Sequence, residues 1–195
     1  LLVARDRAAT HLIAGWTHAQ VYVNHGRAAG ASIEHPHAQV LALDFVPPFV
    51  EQVLDRFAKA RRDLTADAID EARQDAGLVR DSGATIWCPP ASIGAYAVRM
   101  ALEGASARFD LAPDTDIATI ATALQWLLGA LRRVLGDVPY NVVVNSAPRD
   151  EPRPFHWWVD VVPRLSVTAG FEFGTGLHVC PVEPEAAAAA LRDAS

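Results

Sequence analysis

The chain lacks the raw material for several common kinds of site. It has two cysteines in 195 residues, Cys88 and Cys180, far apart and with no Cys-x-x-Cys pair. That excludes a disulfide framework and a cysteine-built zinc site. Lysine is nearly absent: Lys59 stands alone, and arginine carries the remaining positive charge, a composition bias of the chain rather than a chemical signal. Acidic residues outnumber basic ones, 23 to 17, for a net charge of −6. There is no general basic field for nucleic acid, so a nucleotide would have to be held by local arginines and backbone amides. No apolar run reaches the ~18 residues that suggest a membrane span, and the first residues carry no signal-peptide pattern. The expectation is a cytoplasmic protein that engages neither membrane nor nucleic acid. With 51% hydrophobic residues the chain can bury a sizeable core, as one large or two small domains.

Apolar periodicity predicts a mixed α and β chain. Leu12, Ile13 and Trp16 share one side of a helix within residues 1–18. Ala19–Asn24 and His37–Phe45 alternate as strands, the second ended by Pro47-Pro48. Val50, Val53, Leu54 and Phe57 recur at helical spacing across Phe49–Leu64, and Thr65–Asp81 reads as a second helix or a connector. Strands are expected at Thr85–Trp87, Ala95–Leu102, Val142–Asn145 and Phe155–Val162. Asp114 reads as the N-cap of a long helix ending at Gly136, and Pro184-Glu185 as the start of a short helix over Ala186–Leu191.

One segment carries chemistry. Residues 24–39 read Asn-His-Gly-Arg-Ala-Ala-Gly-Ala-Ser-Ile-Glu-His-Pro-His-Ala-Gln. Small residues in a turn let backbone N–H groups approach a phosphate closely. The strand that follows points alternate residues to one face, bringing His35, His37 and Gln39 together. An imidazole beside a phosphate cradle is a good nucleophile toward phosphorus, provided its second nitrogen holds a proton against an acceptor such as a backbone carbonyl. Amides from Gly30 through Ala31 to Ser32, the Ser32 hydroxyl and the Gln39 amide are candidate donors to the charge that builds on the phosphate. The reading is nucleotidyl or phosphoryl transfer through a histidine. Arg27, Arg153 and Arg164 are further candidate phosphate partners.

The same segment closely resembles the active-site signature of the galactose-1-phosphate uridylyltransferases, in the histidine-triad superfamily. Asn24, Gly26, Gly30, Ser32, His35, Pro36, His37 and Gln39 all fit that signature. A looser match follows at Pro163-Arg164-Leu165, Ala169-Gly170-Phe171-Glu172 and Pro184-Glu185-Ala186 through Leu191-Arg192. The resemblance implies an α+β, histidine-triad-like fold, an antiparallel sheet with flanking helices built as a tandem repeat. Residues 1–80 would hold the end of an incomplete first repeat, and residues 81–195 a degenerate second one.

By the same resemblance, His37 attacks the α-phosphorus of a nucleoside diphosphate sugar, and Gln39 hydrogen-bonds the phosphate of the nucleotidylated histidine. Asn24 and Ser32 contact phosphate, and Glu172 accepts from sugar hydroxyls. His35 is a structural histidine, and a zinc ligand only if a preceding segment supplies the rest of an otherwise incomplete site. The implied reaction moves UMP from a UDP-hexose to a hexose 1-phosphate, with no other cofactor, in a homodimer. The alternatives are an ADP-sugar or dinucleoside-polyphosphate phosphorylase or hydrolase of the same superfamily, and a non-catalytic nucleotide-binding module. A Gln at position 39, where the hydrolases carry a third histidine, favours transfer. The expected chain is the C-terminal part of a longer protein, or a shortened relative.

The two halves echo each other. Asn24 precedes His35 by the spacing that separates Asn145 from His156, which sets Trp158 opposite His37 and Asp160 opposite Gln39. Trp158 cannot attack phosphorus, so only the first half would be catalytic. Trp157 and Trp158 are expected in the core or an interface.

Overall fold

The structure is a computed structural model and describes residues 1–33, 35 and 37–194. Pro36, part of the signature above, lies outside the described residues, as does Glu34. Strands β1 (His18–His25), β2 (Ala38–Leu43), β3 (Leu78–Ser82), β4 (Ala84–Trp87), β5 (Val98–Ala101), β6 (Tyr140–Asn145) and β7 (Trp158–Pro163) form one sheet. Its order is β2-β1-β6-β7-β5-β4-β3, and every neighbouring pair is antiparallel. Helices α1 (Leu2–Ile13), α2 (Pro48–Ala60), α3 (Leu64–Ala72), α4 (Asp114–Leu135), α5 (Gly170–Thr175) and α6 (Pro184–Asp193) flank it. The expected α+β class with an antiparallel sheet is the one observed.

Alternation along the strands decides what each face meets. Ala19, Val21, Val142, Val144, Val159 and Val161 point to one side, where α1, α4 and α6 bring Ala8, Leu12, Ile120, Leu127 and Leu191 into the main core. On the other side α2 and α3 cover part of the sheet. Val50, Val53, Leu54, Phe57 and Ile69 pack there on Trp87, Ala101, Phe155 and Trp158. Burying a side chain such as Leu54 or Phe57 contributes about 1.5–3 kcal/mol. That cover stops short of β2, β1 and the near edge of β6. The uncovered part of this face carries the signature residues. Among the described residues no helix is long and apolar enough to cross a membrane.

Several details differ from the sequence reading. Helix α1 buries Ala4, Ala8 and Leu12, whereas Ile13 is 86% exposed and Trp16 lies past the helix end. Alanines at helical spacing sit flat on the sheet where bulkier residues would hold the helix off. Strand β3 was read as helix or connector; its five residues are half exposed at a sheet edge and carry no alternation to detect. The division drawn at residue 80 falls inside β3. Asp114 is the first residue of α4 rather than its cap, which is Pro113.

Two buried histidines matter to stability. His156 is fully buried: its Nδ1 lies 2.7 Å from Asp63 Oδ2 and its Nε2 2.7 Å from the Leu102 carbonyl. Both ring nitrogens are thus held, one by a side chain and one by the backbone. Asp63 also caps α3 by accepting from the amides of Thr65 and Ala66, which ties that helix to the start of β7. His18 is the opposite case, 1% exposed with neither ring nitrogen partnered in good geometry. Burial pushes its pKa down, and the nearby Gln20 amide offsets this only in part. The unfolded chain therefore binds the His18 proton more readily than the folded one. Its neutral-state stability is fully present above the ordinary histidine value of about 6.5 and is lost as the pH falls below it. His18→Leu is expected to flatten the fall in unfolding free energy between about pH 7 and 5 relative to wild type. Urea denaturation at a series of pH values reads this, and parallel profiles would refute it.

Candidate functional site

The site begins with the turn after β1. Gly26 has φ 78°, Arg27–Ala29 make one turn of 3₁₀ helix, and Gly30 closes it at φ 86° in the left-handed region. The turn is stitched internally: the Ala29 and Ala31 amides donate to the Gly26 carbonyl, and the Gly30 amide donates to Arg27. The Gly30 and Ala31 N–H groups, expected to face a phosphate, are thus spent inside the loop. The exposed Ser32 remains as its hydroxyl donor. Gly26 is required twice over, by its positive φ and because a Cβ there would sit 2.9 Å from Pro139 Cβ.

His37 lies just before β2, and its environment selects one tautomer. Nδ1 is 3.0 Å from the backbone carbonyl of His35, an acceptor only, so Nδ1 carries the hydrogen. The lone pair is then on Nε2. Gln39 places its Nε2 2.9 Å from that atom, and an amide –NH₂ facing a lone pair donates. Gln39 and Tyr22 are cross-strand partners, so the phenol flanks the pair on the open face. The His35 ring is exposed, with its centroid 5.8 Å from that of His37. Tetrahedral zinc needs three or four protein ligands. Among the described residues no group of three or more His, Cys, Asp or Glu could hold a metal. His35 alone does not fit zinc.

Asn24 pairs with Asn141 across β1 and β6, and its Oδ1 accepts from Asn141 Nδ2 at 2.8 Å. The same Asn141 nitrogen donates to the Ala29 carbonyl at 2.8 Å. Asn141 was missed in the sequence. Its signal was the alternation back from Asn145 along one strand, which puts residues 141, 143 and 145 on one face.

The register of β6 and β7 repeats that of β1 and β2. Gln39 stands opposite Tyr22, two residues before Asn24, and Asp160 stands opposite Val143, two residues before Asn145. The second position holds different chemistry. Asp160 accepts from Arg99 Nε at 2.8 Å, from Asn145 Nδ2 at 2.9 Å and from Trp158 Nε1 at 2.8 Å. Arg99 also lies over the Trp158 ring. A cavity of about 650 Å³ lies above this cluster under α2 and α3, walled by Phe49, Phe57, Trp87 and Pro90.

Glu172 lies elsewhere. It is on α5, after β7 and three strands from β2, and α5 buries none of its residues. The Glu172 carboxylate accepts from its own amide and from that of Ala169, which holds its pKa below the usual range. It lines a shallow cleft with Arg164 and His178. Arg153, a candidate phosphate partner, is occupied by Glu51, Asp55 and Glu151, and Arg27 is exposed on the loop. Burial pushes the Cys88 thiol up to about 12, so it is no nucleophile near neutrality.

Fold and signature together define a galactose-1-phosphate uridylyltransferase-like protein. The chain belongs to the family described as Domain of unknown function (DUF4921), whose model matches residues 13–193. It is 30% identical to an ADP-glucose phosphorylase of Arabidopsis thaliana, over 90% of this chain and 52% of that protein. It is 25% identical to a galactose-1-phosphate uridylyltransferase of Thermotoga maritima, over 89% of this chain and 59% of that protein. The chain therefore spans about half the length of these curated relatives. The crystal structure of an Arabidopsis thaliana ADP-glucose phosphorylase with bound ADP-glucose superposes with a TM-score of 0.87 at 27% identity, covering 100% of this chain and 64% of that one.

The loop geometry predicts a graded response to alanine. Gly30→Ala meets only the Asn24 side chain at an ordinary 3.6 Å and should cost about 1 kcal/mol for its left-handed backbone. Gly26→Ala adds the clash with Pro139 and should cost roughly 2–3 kcal/mol or more. Equilibrium urea unfolding of the two variants measures the difference, and equal losses would mean that the Pro139 contact is immaterial.

Proposed function

We propose that the protein transfers a nucleoside monophosphate from a nucleoside diphosphate sugar through a covalent nucleotidyl-His37 intermediate. The observation that carries this is the hydrogen bond from His37 Nδ1 to the His35 carbonyl, which leaves Nε2 as the free nucleophile. Nε2 attacks the α-phosphorus, the bond from that phosphorus to the bridging oxygen breaks, and the sugar 1-phosphate departs with the electron pair. The Nδ1 proton stays against the carbonyl and stabilises the positive ring. The Gln39 amide, which caps Nε2 at rest, turns its N–H to a phosphate oxygen once Nε2 is bonded. In the second step an acceptor phosphate oxygen attacks, the N–P bond breaks and His37 is regenerated. Ping-pong kinetics follow.

In the leading version UDP-glucose donates and galactose 1-phosphate accepts. Asn24 and Ser32 then contact phosphate, and Glu172 contacts the sugar across the interface of a homodimer in the cytoplasm. Phosphorolysis of ADP-glucose is the second reading, favoured by the 30% identity to the ADP-glucose phosphorylase. There inorganic phosphate discharges the intermediate. The two halves, residues 1–80 and 81–195, are read as repeats of which only the first reacts; the matched registers support this.

Intact-protein mass spectrometry after incubation with UDP-glucose, UDP-galactose or ADP-glucose tests the proposal. The expected gain is one nucleoside monophosphate, lost in His37→Ala, and the mass names the base. Discharge by galactose 1-phosphate or by inorganic phosphate then selects between the two readings. Nucleotide binding with no adduct from any donor would leave a binding module instead.

A further inference from the structure

We propose that Asn141, contributed by β6, is a positioning residue that sets both the shape of the loop at residues 26–32 and the polarity that Asn24 presents to it. The proposal rests on reading that loop as the phosphate-binding part of the His37 site. An amide nitrogen has two hydrogens, and Asn141 commits both, one to the Asn24 side-chain oxygen and one to the Ala29 carbonyl, each at 2.8 Å. Ala29 is the last residue of the 3₁₀ turn and is buried, so this bond pins the turn to the neighbouring strand. The bond to Asn24 acts differently. An –NH₂ group only donates, so Asn24 must turn its oxygen toward Asn141 and its own –NH₂ away. That –NH₂ reaches the loop, 3.6 Å from where a Gly30 Cβ would lie. The loop thereby gains a donor, which an anionic phosphate requires, in place of an oxygen that would repel it. Asn141 touches neither His37 nor Gln39 and acts only through Asn24 and the loop.

The charge-reversing isostere gives the sharpest test. Asn141→Asp accepts where Asn141 donates, so Asn24 must rotate its amide to donate back, which turns its oxygen to the loop, and the Ala29 bond is lost. Asn141→Ala loses both bonds without imposing the flip. Asn24→Asp keeps an acceptor for Asn141 but removes the donor that faces the loop. Asn145→Ala, on the same strand and face but bonded to Asp160, controls for general damage to the sheet.

Two readouts are needed. Amide hydrogen exchange at Ala29, Gly30 and Ala31 reports the loop directly and needs no turnover. It is expected to quicken at least tenfold in Asn141→Ala and Asn141→Asp, and to stay at the wild-type rate in Asn24→Asp and Asn145→Ala. Unchanged exchange in both Asn141 variants would overturn the proposal. The rate of nucleotidyl-His37 formation against donor concentration reports the polarity. Asn141→Asp and Asn24→Asp are expected to raise the donor KM and to lose about 100-fold in kcat/KM, the scale of a lost donor to a reacting phosphate. A loss in kcat/KM no larger than that of Asn145→Ala would overturn the polarity argument. Should the wild type itself form no adduct, the functional reading fails, while the exchange rates still decide the role of Asn141 in the loop.

Discussion

The antiparallel ladder between β1 and β6 is the constraint on which the rest depends. It pairs Val21 with Val144, Val23 with Val142 and Asn24 with Asn141, and joins the two halves of the chain into one sheet. Because side chains alternate with a period of two, a slip of one residue would exchange the faces of an entire strand. Val142 and Val144 are each 3% exposed in the main core, so such a slip would turn both to solvent. Burial on the helix-covered side thus fixes which residues appear on the other. The site face is specified by an apolar core it does not touch, and Asn24 and Asn141 meet because the valines beside them are held.

Within that frame the reactive geometry is set by backbone more than by side chains. The His35 carbonyl selects the tautomer of His37, and the tautomer dictates which end of the Gln39 amide faces it. Each step follows from whether a group can only accept or only donate. A carbonyl two residues away in sequence costs little to position, since the chain already holds it. In the proposed reaction, a carboxylate in its place would bring a negative charge toward an anionic donor. The neutral pairing of carbonyl, imidazole and amide avoids that repulsion and leaves the charge balance to the phosphate. The internal stitching of the glycine loop has a complementary effect: its shape persists without a ligand, but Gly30 and Ala31 no longer have free amides to offer. In the proposed reaction, donors to a phosphate then come from side chains, which is why the orientation of one asparagine amide matters.

Much of this was legible in the sequence, and the gaps have identifiable causes. The signature from Asn24 to Gln39 singled out His37 and Gln39, which the structure places 2.9 Å apart, because spacing along a turn and a strand start is a local property. Alternation located β1, β6 and β7, and proline and glycine marked the start of α2 and the end of α4. Strand β3 escaped because Arg80, Asp81 and Ser82 are all exposed, so its residues show no alternation. The apolar face of α1 was misjudged because hydrophobicity alone favours Ile13 and Trp16, whereas close packing on a sheet favours Ala4 and Ala8. Asn141 and Arg99 were not singled out because their importance is a matter of pairing between strands far apart in sequence. No single-chain pattern says which strand will lie beside β1.

The matched registers of β1–β2 and β6–β7 make the second position an internal comparison for the first. Both present a residue opposite the strand two places before an asparagine, Gln39 in one and Asp160 in the other. Asp160 is saturated, with Arg99, Asn145 and Trp158 donating to it and its side chain only 14% exposed. A carboxylate buried to that degree must be paired. Gln39 is uncharged, so it can sit on an open face with one partner and still have hydrogen-bonding capacity to spare. The cover follows the same division: α2 and α3 close over Trp158 and Asp160 and leave His37 and Gln39 bare. The two positions thus share a register and differ in chemistry, one a saturated ion-pair cluster and the other an open imidazole–amide pair.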